Sequence, residues 1–225
     1  MLFYIVLILI YLPVKIFLPT IVKGRKNLPK GKAIYACNHQ TNVDIAVIAC
    51  GCYKRMYALG KAELYKNKLA TWFLNGIGCI KINRGKADIE AVKKVLTTLK
   101  KKEKPVVIFP TGTRNSSPEE IQDIKNGVAM FSVKAQAPIV PMVLIKKPGL
   151  FRLNKLVIGK PLDLTKYDGR SANKELYDEI SNDLMLALEK LLEDNKKSIK
   201  KEKIKMISAI LSLIISLVAA LVTII

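Results

Sequence analysis

The stretch "ACNHQTNVDI" (36–45) contains the only histidine of the chain, His39, and a carboxylate five residues later, Asp44. Histidine is the side chain whose ordinary pKa lies near neutrality, so it can accept and return a proton at physiological pH. A carboxylate bound to one ring nitrogen fixes the tautomer and leaves the other nitrogen available to a hydroxyl proton. The pair predicts a general base. The alternative is a loop histidine beside an aspartate that stabilises a helix N-terminus.

A second stretch, "FPTGTRN" (109–115), follows an apolar run and carries residue types that bind phosphate. Gly112 allows the backbone N–H groups of the turn that contains Thr111 and Thr113 to face an anion. Arg114 can hold a phosphate through two parallel hydrogen bonds. The alternative is an ordinary turn with a solvated arginine.

Two further basic residues, Lys61 and Arg84, lie before and after a predicted helix. From these positions they could converge with Arg114 on one phosphate from different directions. A solvated surface is the alternative, because lysines are plentiful in this chain.

These side chains need a scaffold that brings them together, and the hydrophobic pattern predicts one. Short apolar runs bounded by turn residues predict strands, and apolar residues recurring every three or four positions predict helices. The predicted strands are 32–37, one that begins at 55, 79–84, 105–110, 137–145 and 156–164, and the predicted helices are 42–52, 64–74, 87–102, 126–136 and 172–195. This alternation predicts an α/β fold with a mixed central sheet flanked by helices.

The first predicted strand and helix decide whether the histidine and the carboxylate meet. Thr41 or Asn42 is the predicted cap of the helix. A strand that ends at Cys37 and a helix that begins near Thr41 would bring Asp44 back over the ring of His39.

Both ends of the chain are apolar. Residues 1–14 and 206–225 carry no charged side chain, and the second run of 20 residues has about the length that crosses a bilayer. The first run is shorter, so it predicts short membrane-embedded helices; a signal peptide is the alternative, but the run lacks a basic start. The predicted division is an anchor at 1–22, one domain at 23–195, and a basic linker with a hydrophobic tail helix at 196–225.

The net charge of +20 is concentrated in blocks, and two of them, 23–32 and 196–205, adjoin the apolar ends. This placement favours an anionic lipid surface over nucleic acid as the partner, and the positive-inside rule predicts a cytoplasmic domain at the cell membrane. Small size and heavy use of lysine and isoleucine suggest a bacterial source. The four cysteines, none of them in a Cys-x-x-Cys pair, predict reduced thiols rather than a zinc site.

Four blocks, in this order, resemble the glycerolipid acyltransferase family. "NHQTNVD" is similar to its first block, Asn-His-x4-Asp, and "IGCIKINR" to its second, Gly-x5-Arg. "FPTGTRN" is similar to the third, Phe-Pro-Glu-Gly-Thr-Arg-Ser, and "APIVPMVL" to the fourth, an apolar strand with a proline. "KAEL" resembles the segment that supplies a phosphate-contacting lysine. The resemblance covers about residues 20–165.

The resemblance implies an enzyme that moves an acyl chain from an acyl thioester to the sn-2 hydroxyl of 1-acylglycerol-3-phosphate and makes phosphatidic acid. His39 would be the general base and Asp44 its partner, while Lys61, Arg84, Arg114 and the turn at 111–113 would hold the phosphate. No metal or resident cofactor is implied. The acyl donor would be acyl-coenzyme A or acyl carrier protein.

This chain departs from the family pattern, most of all at Thr111, where the third block has a glutamate. Asn115 replaces the serine of that block, and Ile80 replaces an aromatic residue of the second. Three alternatives therefore stay open: acylation of glycerol-3-phosphate, acylation of another lysophospholipid, and a lipid-binding protein with impaired catalysis.

The C-terminal tail carries a small residue at every fourth position: Ser208, Ser212, Ser216 and Ala220. This stripe could allow two helices to pair in a dimer, but a plain tail anchor is the favoured interpretation.

Overall fold

The computed structural model describes residues 16–83, 88–114, 123–149 and 151–196, together with residues 9 and 121. The strands in these ranges are β1 (Thr20–Lys23), β2 (Ile34–Cys37), β3 (Tyr57–Lys61), β4 (Cys79–Ile82), β5 (Val106–Ile108), β6 (Ile139–Leu144) and β7 (Asn154–Ile158). The helices are α1 (Asp44–Cys52), α2 (Lys68–Ile77), α3 (Ile89–Lys100), α4 (Gly127–Ala135) and α5 (Lys174–Lys196).

The seven strands form one mixed sheet in the order β1-β7-β6-β2-β5-β3-β4. The neighbours from β6 to β4 are all parallel to one another. β7 is antiparallel to β6, and β1 runs parallel to β7. The predicted α/β fold with a mixed central sheet is confirmed. The carboxyl ends of β2, β5 and β3 lie side by side, and this edge is where open α/β sheets place their ligands.

Both faces of the central strands β2, β5, β6 and β7 are buried. Side chains alternate along a strand, so in β2 Ile34 and Ala36 join one apolar cluster while Tyr35 and Cys37 join another. Helices α3, α4 and α5 cover the first cluster, and α1 covers the second. α5 contributes a stripe of buried apolar residues, each four positions after the one before: Leu176, Ile180, Leu184, Leu188 and Leu192.

Three local predictions differ from the structure. The first strand, β1, was not predicted, since it is a short edge strand that begins directly after Pro19, inside the segment expected to be an anchor. The predicted strand 156–164 lies at 154–158 and ends before Pro161, which has no N–H for a ladder. The residue before α1 is Val43, which forms no side-chain cap. Thr41 and Asn42 were wrong as caps, because Asp44 in the first turn turns back to bind the N–H groups before the helix.

Several predictions lie wholly or partly outside the described residues. They concern most of the N-terminal anchor, the tail helix at 206–225, Arg84 and Asn115. Within the ranges that the structure describes, every helix is too short or too polar to cross a membrane. The division into anchor, domain and tail stays a prediction. None of the four cysteines forms a disulfide in the described part of the chain, and Cys37, Cys50 and Cys52 are buried.

Candidate active site

Three neighbouring strand ends carry the candidate site. His39 follows β2, Phe109 follows β5, and Lys61 is the last residue of β3. Because β5 lies between β2 and β3 and all three are parallel, these residues meet at the same edge of the sheet.

The expected contact between histidine and aspartate is present. His39 Nδ1 lies 2.8 Å from Asp44 Oδ2. Asp44 is fully buried, and 9% of His39 is exposed. The ring of Phe109 stacks on the imidazole, with 4.0 Å between the ring centroids and 14° between the planes. The imidazole is therefore fixed by a carboxylate at one edge and by an aromatic ring on one face.

The carboxylate of Asp44 accepts several hydrogen bonds besides the one to His39. The backbone N–H groups of Gln40 and Thr41 donate to Oδ2 at 2.6 and 2.9 Å, and the hydroxyl of Thr41 donates to Oδ1 at 2.5 Å. Burial alone would raise the pKa of Asp44, but the hydrogen bonds from His39, Thr41 and the backbone outweigh it, so the pKa lies below its ordinary value. Asp44 is therefore ionised at neutral pH.

This ionised carboxylate determines the tautomer of the histidine. A carboxylate only accepts hydrogen bonds, so the nitrogen that faces it, Nδ1 of His39, carries the hydrogen. In the neutral imidazole, Nε2 then presents a lone pair. The arrangement can accept a proton from a hydroxyl at Nε2 and stabilise the resulting imidazolium through Asp44.

Two residues without a role predicted from the sequence hold the loop of the histidine in place. The side chain of Asn38, which is buried, donates to the carbonyl of Leu144 at 3.0 Å and accepts from the N–H of Leu144 at 2.8 Å. Gln40 donates to the same carbonyl at 2.8 Å. The residues on both sides of His39 are therefore tied to the end of β6.

A cavity of about 520 Å³ opens beside the histidine, within the size range of small-molecule sites. His39 and Phe109 form part of its wall, and the charged side chains in the wall are Lys61 and Arg114. Most of the remaining wall is apolar: Ile45, Ala46, Ala49, Met56, Ala58, Leu59, Leu64, Leu74 and Ile77. The cavity can thus take a molecule with a long apolar part and an anionic part.

Of the predicted phosphate-binding residues 111–114 in the loop after β5, Arg114 lines the cavity. It also donates to Oδ1 of Asn42 at 2.5 Å. Thr111 is buried and uses its hydroxyl to donate to the carbonyl of Thr113 at 2.6 Å. Gly112 adopts the left-handed conformation with φ 72°, which favours glycine. The wall of the cavity does not include residues 111–113, so their binding of phosphate stays a prediction.

Two residues of the site, Phe109 and Asn42, had no role there that the sequence predicted. Phe109 and Asn42 both lie inside the quoted stretches, next to predicted chemistry. An aromatic residue at a strand end and an asparagine in a loop are too common to predict a stacking ring or an arginine partner from spacing alone.

Comparison with known proteins identifies the family of this chain. The model of the acyltransferase family matches residues 20–145, which is more than half of the chain. The chain is 31% identical over 152 residues to a 1-acyl-sn-glycerol-3-phosphate acyltransferase of Bacillus subtilis, with 63% of this chain and 72% of that protein covered. It is 26% identical over 148 residues to the protein of that name from Streptococcus pneumoniae, with 64% of this chain covered. The match spans only 53% of the length of that relative.

A solved structure has the same fold. It is the crystal structure of the 1-acyl-sn-glycerophosphate acyltransferase from Thermotoga maritima, with a TM-score of 0.59, 22% identity, and 76% of this chain and 71% of that chain covered. The matched range, residues 20–145, includes His39, Asp44 and Arg114 of this chain. The chain belongs to the acyltransferase family.

Proposed function

We propose that this chain transfers an acyl group from an acyl thioester to the sn-2 hydroxyl of 1-acylglycerol-3-phosphate, which produces phosphatidic acid. The observation that carries the proposal is the buried hydrogen bond between His39 and Asp44 at the wall of a cavity that also contains Lys61 and Arg114. The names of the relatives, 1-acyl-sn-glycerol-3-phosphate acyltransferases, support the same acceptor here.

In the proposed reaction, Nε2 of His39 accepts the proton of the acceptor hydroxyl while that oxygen attacks the thioester carbonyl. The new C–O ester bond forms, the C–S bond breaks, and the leaving thiolate takes the proton from the imidazolium. Asp44 stabilises the imidazolium between these two steps. General-base catalysis of this kind increases the rate about 10²–10⁴-fold.

The substrate would be held at its two chemically different parts. Lys61 and Arg114 supply the positive charge for a phosphate, and the guanidinium can bind two of its oxygens at once. The apolar wall that includes Leu74 and Ile77 would hold an acyl chain. Fixing both parts turns a chance collision into an oriented encounter.

The proposed location of the reaction is the cytoplasmic face of the cell membrane, where the lysolipid and its product reside. The acyl donor is acyl-coenzyme A or acyl carrier protein, and both are acidic partners for a chain with a net charge of +20.

An assay that compares acceptors tests the proposal. Purified full-length chain is given an acyl thioester with 1-acylglycerol-3-phosphate, glycerol-3-phosphate or 1-monoacylglycerol. We expect the first acceptor to react fastest. Faster acylation of glycerol-3-phosphate would indicate a first-step enzyme, and no acylation of any acceptor would indicate a lipid-binding protein.

The variant Arg114→Gln separates phosphate binding from chain binding. Glutamine keeps a donor for Asn42 but loses the charge, so KM for 1-acylglycerol-3-phosphate should rise about 10–100-fold. KM for 1-monoacylglycerol, which has no phosphate, should stay nearly unchanged. Equal changes for both acceptors would contradict a phosphate site at Arg114.

A further inference from the structure

Helix α2 has an apolar face with no partner among the described residues. Leu69 is 73% exposed, Trp72 61% and Phe73 38%. Their positions, three and four residues apart, place the three side chains on one face of the helix. None of the residues of α2 is buried. A helix with this composition leaves a large apolar area in water unless another surface covers it.

The opposite face of the same helix lines the cavity. Leu74 and Ile77 are part of the cavity wall, and so is Leu64, which is also 51% exposed. α2 is fixed at both ends, because the side chain of Asn67 accepts from the N–H of Ala70 and Gly78 closes the C-terminus with φ 91°. A fixed helix therefore separates the cavity from the surroundings, with apolar residues on both of its faces.

The charges around the exposed face indicate what covers it. From Leu64 to residue 83 the sequence has no acidic residue, while Lys66, Lys68 and Lys81 lie in this segment and are exposed. Aromatic residues bordered by lysines are typical of helices that lie in the interface of a bilayer. A surface of anionic lipid matches both the apolar face and the positive charge around it.

We infer that the outer face of α2, formed by Leu69, Trp72 and Phe73, docks into the interface of a bilayer that contains anionic lipid. In this orientation, the part of the cavity wall formed by Leu64, Leu74 and Ile77 lies next to the lipid. An apolar chain then passes between bilayer and cavity without crossing water. This surface lies within the described domain and is distinct from the apolar ends of the chain.

The chain carries its own reporter, because Trp72 is the only tryptophan. The full-length protein, without substrate, is mixed with phosphatidylglycerol vesicles, with phosphatidylcholine vesicles, or with phosphatidylglycerol vesicles brominated on the upper part of the acyl chains. We expect a blue shift of the tryptophan emission with phosphatidylglycerol, strong quenching by the brominated lipid, and a smaller response to phosphatidylcholine.

Two leucine variants provide the matched comparison. Leu69→Ser removes one apolar side chain from the proposed face, while Leu186→Ser removes an exposed leucine, 54% accessible, from α5, which packs against β6 and α4. We expect Leu69→Ser to shift the docking equilibrium, measured from the extent of quenching, about tenfold toward undocked helix. Leu186→Ser should quench like the wild type.

Three results would overturn the inference. The first is an unshifted Trp72 emission in vesicles that the protein binds, since the chain would then be attached elsewhere. The second is a blue shift that grows with protein concentration in the absence of vesicles, which would assign the face to a second copy. The third is equal quenching of the two variants. No turnover is required, so these results are independent of the proposed acyl transfer.

Discussion

The ionised carboxylate of Asp44 determines the chemistry of the site. Four donors surround it, and one of them is Nδ1 of His39. An asparagine at this position can place its oxygen where Oδ2 lies and direct its NH₂ to the hydroxyl of Thr41, which can accept. The variant Asp44→Asn therefore keeps the hydrogen bonds but loses the negative charge.

We expect Asp44→Asn to lower kcat about 10²–10³-fold, because the imidazolium formed during proton transfer loses its counter-charge. KM for the acceptor should change little, since Asp44 does not line the cavity. Steady-state kinetics of the variant beside the wild type measures both parameters. A rise in KM with unchanged kcat would contradict the role of Asp44.

The same variant has an effect on stability that depends on pH. The folded state lowers the pKa of Asp44 below 3.8, so the carboxylate contributes stability in full above that value and loses it as the pH falls through the folded pKa. The wild type should exceed Asp44→Asn in free energy of unfolding at about pH 5, and the difference should narrow toward about pH 3. Urea unfolding at both pH values measures the difference; a gap that widens in acid would contradict the lowered pKa.

At the residue scale, the sequence predicted the pair His39 and Asp44 because both lie in one short stretch between a strand and a helix. It did not predict the support from Leu144, since that residue is over 100 positions away along the chain. The burial of Thr111 was also beyond prediction, because spacing does not show which side of a turn faces the protein.

At the element scale, α2 has two apolar faces, and we propose a different role for each: one lines the cavity and the other contacts the bilayer. Leu74 forms part of the cavity wall, while Leu69 lies on the exposed face of the helix. Leu74→Phe should fill part of the cavity and lower the rate with a long acyl thioester about tenfold relative to a short one. Leu69→Phe is the control and should keep the chain-length preference of the wild type. Equal effects of the two substitutions would contradict an acyl-chain site in this cavity.

The buried central strands were predicted well, whereas the edge strand β1 was not predicted. The central strands β2, β5 and β6 are buried apolar runs, so their pattern is unambiguous. β1 has only four residues, all of them partly accessible, and its pairing with β7 is a long-range contact that no local pattern reports. Helix α1 was predicted, but its start was not, because the side chain of Asp44 takes the place of a cap.

At the scale of the whole molecule, the sheet order brings together residues that are distant in sequence. β5 lies between β2 and β3, so the loop with Arg114 approaches both Asn42 and the cavity beside Lys61. Alternating strands and helices predict this class of fold but not the order of the strands. The family resemblance therefore predicted that His39, Lys61 and Arg114 converge. The order of the strands in the sheet is the physical reason why they do.

The central claim is that His39 is the general base of an acyl transfer. The most direct measurement is the rate of phosphatidic acid formation from 1-acylglycerol-3-phosphate by wild type and His39→Ala. In the variant Asp44 keeps its bonds from Gln40 and Thr41, so the fold and the emission of Trp72 should be retained. The account predicts a loss of about 10²–10⁴-fold in kcat. Acyl transfer at the wild-type rate in a folded His39→Ala protein would contradict it.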